Sequence, residues 1–358
     1  MTNPGLQSGD IHISTSSHHL IITSTNCKMF LRRLSFVMIL TILLLVSCKP
    51  DGSKKVAGPV VPEVALPAFS ADSAYANVAK QVSFGPRVPG TPSHEVGLEW
   101  IASRLRDHGA EVIIQKGNAK IYDGTSMPVK NIIARFQPEK NNRILLMAHW
   151  DSRPWADHDP DPAKRDLPID GANDGASGVG VLLEIARQLG QQSTPLGVDI
   201  VFFDLEDYGV PDHKDVEWTE DSWCLGSRYW ARNLHVQGYH ARFGILLDMV
   251  GAPDALFTHE EVSRYYAQPI LDLVWAMAIR TGCGRWFSFE KTPQLIDDHR
   301  YVNEIAGIPS IDIIQYDPTT ESTFPSVWHT QADNMQNISK ETLGAVGKVV
   351  IAVIYQEQ

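Results

Sequence analysis

The sequence predicts an α/β fold: a single three-layer α/β/α domain with a mostly parallel, mixed central sheet. Three observations predict it. Several short runs rich in β-branched and aliphatic residues are continuous rather than alternating, the pattern of strands buried on both faces. Helical periodicities lie between these runs, and strands alternating with helices build a sandwiched, largely parallel sheet. Five of the apolar runs lead into titratable or metal-binding residues, as the carboxyl edge of such a sheet requires if a ligand binds there.

Taken in order, residues 1–28 are rich in Ser, Thr and His and carry no core-forming pattern. A basic segment, 28–33, precedes an apolar run, 34–46, interrupted only by Ser35 and Thr41. A charged start, a short apolar stretch and small residues at its end make a secretory signal. The run falls short of the about 20 apolar residues that span a bilayer. Its ending, Leu45-Val46-Ser47-Cys48, resembles a bacterial lipoprotein box, in which the cysteine is acylated and becomes the new N-terminus. The predicted organisation is an extension and signal over 1–47, a lipidated tether over 48–67 and a catalytic domain over 68–358. Met29 is an alternative first residue. This arrangement places the protein in the bacterial cell envelope, lipid-anchored and facing the periplasm.

Within the domain, strands are predicted at 110–115, 130–136, 143–149, 198–204, 243–250 and 308–314. Helices are predicted at 93–108, 178–189, 265–281, 298–306 and 340–355. In the first helix Val96, Trp100, Ile101 and Leu105 form one stripe. The aromatic stretch 222–230 is predicted as a helix packed on the core. The Pro- and Asp-rich stretch 152–172 and the stretch 208–223 are long loops, which in a compact domain are often functional. Cys224 and Cys283 fall inside the domain, and two positions alone do not reveal whether they pair. Lys and Arg total 31 against 42 Asp and Glu, a net charge of −11, which argues against polyanion partners such as nucleic acid.

The strand ends carry the chemistry. They are His149-Trp150-Asp151, then Asp174 opening a helix, Glu206-Asp207, Asp248 and, after the last strand, His329. A carboxylate just beyond a buried strand is costly to desolvate unless it is paired or metal-bound. Five such positions point to a cation. Histidine with several carboxylates suits zinc with an open coordination position, hence a catalytic site.

With these motifs in hand the chain resembles the animal-type glutaminyl cyclase (glutaminyl-peptide cyclotransferase) family, a branch of the zinc aminopeptidase clan. The resemblance runs from about Ala71 to the C-terminus. It rests on Phe84-Gly85-Pro86-Arg87-Val88-Pro89-Gly90-Thr91-Pro92, Asn173-Asp174, Phe203-Asp204-Leu205-Glu206-Asp207, Leu247-Asp248-Met249-Val250-Gly251-Ala252-Pro253, Asp297-Asp298-His299 and the segment 324–334. It implies a zinc aminopeptidase-like fold and one Zn2+ per chain held by Asp174, Asp207 and His329. It further implies Glu206 as general base, an Asp248–Asp297 hydrogen-bonded pair, and a pocket walled by Trp218, Phe324 and Trp328. The implied substrates are peptides and proteins with N-terminal glutamine, converted to pyroglutamate with release of ammonia. The protein is expected to be a monomer that meets the membrane only through its anchor.

The clan also contains two-zinc aminopeptidases. Their five ligand positions would be His149, Asp174, Asp207, Asp248 and His329, so the ligand inventory does not decide between the outcomes. His149 and His299 are taken here as hydrogen-bonding scaffold and Cys224 as a buried apolar residue. A catalytically silent envelope protein is a third reading, against which an intact Glu206 argues. The chain departs from the animal pattern in three places: Asp207 stands where animal members carry Glu, Ile296 where they carry Gln, and the segment 315–323 is longer.

Overall fold

A computed structural model describes residues 66–357. The predicted signal, Cys48 and nearly all of the tether lie outside the described residues. The strands are β1 (Glu111–Lys120), β2 (Ser126–Phe136), β3 (Arg143–His149), β4 (Gly197–Phe203), β5 (Gly244–Asp248), β6 (Phe257–His259), β7 (Phe287–Lys291) and β8 (Ser310–Ile314). The helices are α1 (Ala71–Val82), α2 (Pro92–Asp107), α3 (Ala176–Gln191), α4 (Leu225–Arg232), α5 (Glu261–Arg280), α6 (Asp298–Tyr301) and α7 (Lys340–Gln356).

Six strands form one sheet in the order β1-β2-β4-β3-β5-β8. The pairs β4–β3, β3–β5 and β5–β8 are parallel, while β1–β2 and β2–β4 are antiparallel. The mixed, mostly parallel sheet predicted from continuous apolar runs is therefore present. Strands β3, β4, β5 and β8 are buried along their whole length, which is why they carry no alternation.

Alternate side chains of the strands sort the helices into two layers. Ile144, Leu146, Ile200, Ile245 and Ile311 pack with α1, α2, α3, α5 and α7. Leu145, Met147, Val201 and Leu246 face the opposite way, against Trp230 and Ala231 of α4 and Val302 of the π turn that follows α6. Burying one apolar stripe per helix against each face of the sheet is what makes three layers.

Several elements differ from the prediction for identifiable reasons. The hairpin β1–β2 runs ten paired residues, well beyond the apolar runs, because its outer half mixes Lys116, Gly117, Asn118 and Pro128 and is partly exposed. Helix α1 buries only Ala74, Val78 and Gln81, too weak a stripe to register. Ser70 caps it by accepting from Ser73 N–H. Helix α5 starts four residues early because Glu260 caps it, accepting from Val262 N–H at 2.7 Å and from Ser263 N–H. It bends at Ala267, two residues before Pro269, which removes an amide donor. The short ribbon of β6 and β7 has three- and five-residue strands, with β7 mostly exposed.

The turns after β3, β4 and β5, the turn before α3 and the loop after β8 meet at one edge of the sheet. Cys224 and Cys283 are both buried and both free.

Candidate active site

Each acidic residue at this edge is held by its backbone before its side chain does anything. Asp174 lies two residues before α3, and the Asp333 carboxylate accepts from the amides of Asn173 at 2.7 Å and Asp174 at 3.1 Å. The fully buried Arg87 donates to the carbonyls of Trp150, Asp170 and Gly171 and so pins the same loop. Beyond β4, Leu205 turns in the left-handed region (φ 54°). The amides of Glu206 and Asp207 then donate to the two Asp151 oxygens, each at 3.3 Å. Asp248 closes β5 and accepts from Met249 N–H at 2.8 Å. His329, also left-handed at φ 51°, points its ring at Asp174 and Asp207.

Of the groups of metal-type donors among the described residues, two share Asp174. In the first, His329 Nε2 is 3.1 Å from Asp207 Oδ1 and 3.6 Å from Asp174 Oδ2. All three residues are buried, with one ligand atom of each within 4.8 Å of the others. His329 Nδ1 lies 3.4 Å from Asp157 Oδ1. Asp157 is itself held by Arg153 Nε at 2.9 Å, and Arg153 also donates to the Asp207 carbonyl at 2.9 Å. A carboxylate behind the outer ring nitrogen fixes a ligating histidine's orientation. Asp207 Oδ2 is buried with no hydrogen-bond partner, and two carboxylates with one imidazole suit a dication. These residues fit zinc.

The second group is His149, Asp174 and Asp248. His149 Nε2 is 2.9 Å from Asp174 Oδ1 and 3.2 Å from Asp248 Oδ1. His149 is thus within ligand reach, and Asp174 is shared by both groups.

A small cavity of about 60 Å³ opens beside the first group. Asp174, Glu206, Asp207, Asp248, Asp297 and His329 line one part of it; Trp223, Met249, Ile296, Ile314, Phe324 and Trp328 line the rest. The Trp328 ring stacks on His329 with centroids 3.6 Å apart, and Phe324 leans on Trp328 at 4.7 Å. Ile296, where animal members carry Gln, makes that part of the wall apolar.

Two expectations are corrected here. Trp218 is not a wall residue: it is 53% exposed and absent from the cavity lining. The stretch before it is polar and charged and stays outside. The turn Glu220–Ser222 then brings the chain back in, so the wall is Trp223, its ring parallel to His329 at 6.3 Å. Sequence reasoning missed Trp223 because both tryptophans sit in one aperiodic loop. The Asp248–Asp297 hydrogen bond is not formed either. Asp248 Oδ1 is committed to Met249 N–H and faces His149, and Asp297 groups instead with His299 and Asp312 of β8, one ligand atom of each within 4.8 Å of the others.

Burial and the charge of Asp174 push Asp248 up to about 7. Burial also raises Glu206 well above the ordinary carboxylate range, and the charges of Asp207 and Asp297 add to it. Carboxyl groups in a cavity pushed up toward neutrality are a recurring mark of acid–base sites.

A profile of peptidase family M28 matches residues 131–354. The chain belongs to peptidase family M28. Among solved structures in or near this M28 fold, a glutaminyl cyclase of Bacteroides thetaiotaomicron bound to N-acetylhistamine is 51% identical, covering 82% of this chain and 100% of that one, with a TM-score of 0.81. A glutaminyl cyclase of Tannerella forsythia is 51% identical over 82% of this chain and 100% of its own, at TM-score 0.80. A leucine aminopeptidase precursor of B. thetaiotaomicron is 50% identical over 83% of this chain and 100% of its own, also at TM-score 0.80. Aminopeptidase YwaD of Bacillus subtilis is 27% identical, and the match covers 76% of this chain but about half, 54%, of that protein. The M28 likeness thus takes in both cyclases and aminopeptidases, and it spans the zinc exopeptidase-like fold described above.

Proposed function

We propose that this M28 chain is a glutaminyl-peptide cyclotransferase, converting N-terminal glutamine of peptides and proteins to pyroglutamate with release of ammonia. The observation that carries the reading is the shape of the cavity. Acids line one side, and Trp223, Ile296, Phe324 and Trp328 the other, an apolar clamp for a side chain set against proton-carrying groups. The 51%-identical cyclases support it.

One zinc, held by Asp174, Asp207 and His329, would supply Lewis acidity toward the glutamine γ-carbonyl. The rest falls to side chains. Trp328, Phe324 and Trp223 seat the glutamine side chain and exclude water, so that its own α-amine, rather than water, reaches the amide carbon. Holding a tethered nucleophile in register replaces a bimolecular encounter and supplies several kcal/mol. As the new C–N bond forms, Glu206 takes a proton from the amine. It returns that proton to the side-chain nitrogen as the old C–N bond breaks, so ammonia leaves and no water is consumed. Asp297 faces the cavity where the departing nitrogen would lie and accepts from its N–H.

A second reading, a two-zinc aminopeptidase, is favoured by the His149–Asp174–Asp248 group. Incubating the protein with a Gln-initiated peptide and with a Leu-initiated peptide separates them. The cyclase reading predicts ammonia from the first, with all peptide bonds intact, and nothing from the second. Free leucine would overturn it.

We also propose that the chain works as a monomer, tethered to the periplasmic side of a bacterial envelope membrane through acylated Cys48. The anchor and its side of the membrane rest on residues 28–48 of the sequence. Replacing Cys48 by Ser should move the protein from membrane to soluble fractions; continued fractionation with membranes would refute the anchor.

A further inference from the structure

Cys224 is fully buried and takes a left-handed backbone conformation (φ 54°) immediately before α4. A residue with a Cβ pays about 1 kcal/mol to sit there, so the position invites a reason. The surroundings supply one. Cys224 N–H donates to the Glu206 carbonyl at 3.0 Å, and the next amide, Leu225, donates to the Leu205 carbonyl at 3.0 Å. These bonds tie the turn after β4 to the start of α4. The same residue then touches Glu206 a second time, with Sγ 3.1 Å from Oε1. The Glu206 carboxyl, the Cys224 sulfur and the Asp297 carboxyl all lie within 4.8 Å of one another.

The direction of the Sγ–Oε1 contact is fixed by chemistry. In the ionised form that takes the amine proton, Glu206 can only accept and the thiol donates; burial, with that charge beside it, keeps the thiol protonated. No other side chain among the described residues donates to the Glu206 carboxyl. Glu206 is only part-buried, since its carboxyl lines the cavity. One oxygen is therefore held by sulfur while the carboxyl still faces the substrate space.

We infer that Cys224 is a positioning residue for Glu206: its S–H grips one carboxyl oxygen and leaves the other turned toward the substrate amine. The inference rests on the cyclase reading, in which Glu206 carries the proton. It departs from the ordinary view of a buried cysteine as a small apolar filler. The two views differ in what they require at this position. A filler needs volume, and a positioning residue needs a donor.

Three substitutions in the full, zinc-loaded chain separate volume from donor: Cys224→Ala and Cys224→Gly remove the donor, and Cys224→Ser keeps one. Glycine also suits the left-handed backbone, so it carries the donorless arm should the alanine variant fail to fold. The measurements are kcat and KM for a Gln-initiated peptide, bound zinc per chain and the thermal unfolding midpoint. Ala and Gly are expected to lower kcat about tenfold, the scale of one hydrogen bond to a charged group, with KM within about twofold and zinc content unchanged. Ser is expected to stay within about threefold of the parent kcat. Donorless variants at parental kcat would overturn the inference. So would a folded, zinc-replete Ser variant that loses as much as Ala, an outcome that decides the matter even if neither donorless variant folds. Absence of ammonia release by the parent itself is a different result; it strikes the cyclase reading and not the role of Cys224.

Discussion

Glu206 concentrates the chemistry at the residue scale. It follows a buried strand, its backbone amide is fixed by Asp151 and its carboxyl adjoins Cys224 and Asp297. Replacing it by Gln preserves shape and removes the ability to take a proton. Glu206→Gln should therefore bind zinc as the parent does while kcat falls 10²- to 10⁴-fold, the usual range for a lost general base. Metal analysis and steady-state kinetics on the same preparation check both halves, and activity within tenfold of the parent would contradict the role. Asp174, Glu206, Asp207 and Asp248 were legible in the sequence because each follows a strand or opens a helix, at the sheet's ligand-binding edge; Asp297 and the roles of all the site residues came through the family resemblance. Trp223, Cys224, Asp157 and Arg153 were not legible. They lie in the loops 152–172 and 208–223, or just past them, and no periodicity assigns a direction to a loop side chain.

At the scale of elements, the buried parallel strands were readable from composition, whereas α1 and β7 were hidden because they bury little and β6 because it is only three residues long. Helix α4 was anticipated as a helix on the core, and its packing sets up a pH-dependent contribution to stability. Trp230 in α4 donates its indole N–H to His235 Nδ1 at 3.1 Å. Burial pulls His235 from the ordinary 6.5 down to about 4, with Arg135 and Arg143 adding to the effect against Asp199. A histidine depressed in the fold is protonated first in the unfolded chain. Its contribution is therefore complete above about pH 6.5 and is lost as pH falls from there through about 4. Thermal unfolding midpoints measured across that window at fixed ionic strength should fall, and His235→Gln should flatten the slope. An unchanged slope in the variant would assign the acid sensitivity elsewhere.

Across the whole molecule, one sheet edge gathers donors from β3, β4, β5, the start of α3 and the loop after β8, elements far apart in sequence. That convergence was foreseeable from the order of strands and acids. The cyclase outcome was legible only through the family resemblance of the pocket motifs, because the ligand positions alone leave two metal-capable groups that share Asp174. M28 relatives of both kinds share the fold. On the proposed cyclase reading, the wall of Trp223, Ile296, Phe324 and Trp328 makes the discrimination by shaping a space for a side chain. The claim that one zinc and one proton carrier suffice is tested most directly by zinc titration. Chelator-stripped protein is loaded stepwise with zinc while ammonia release from a Gln-initiated peptide is followed. Activity should rise until one zinc per chain is bound and then level off; activity that waits for a second equivalent would contradict the single-zinc site.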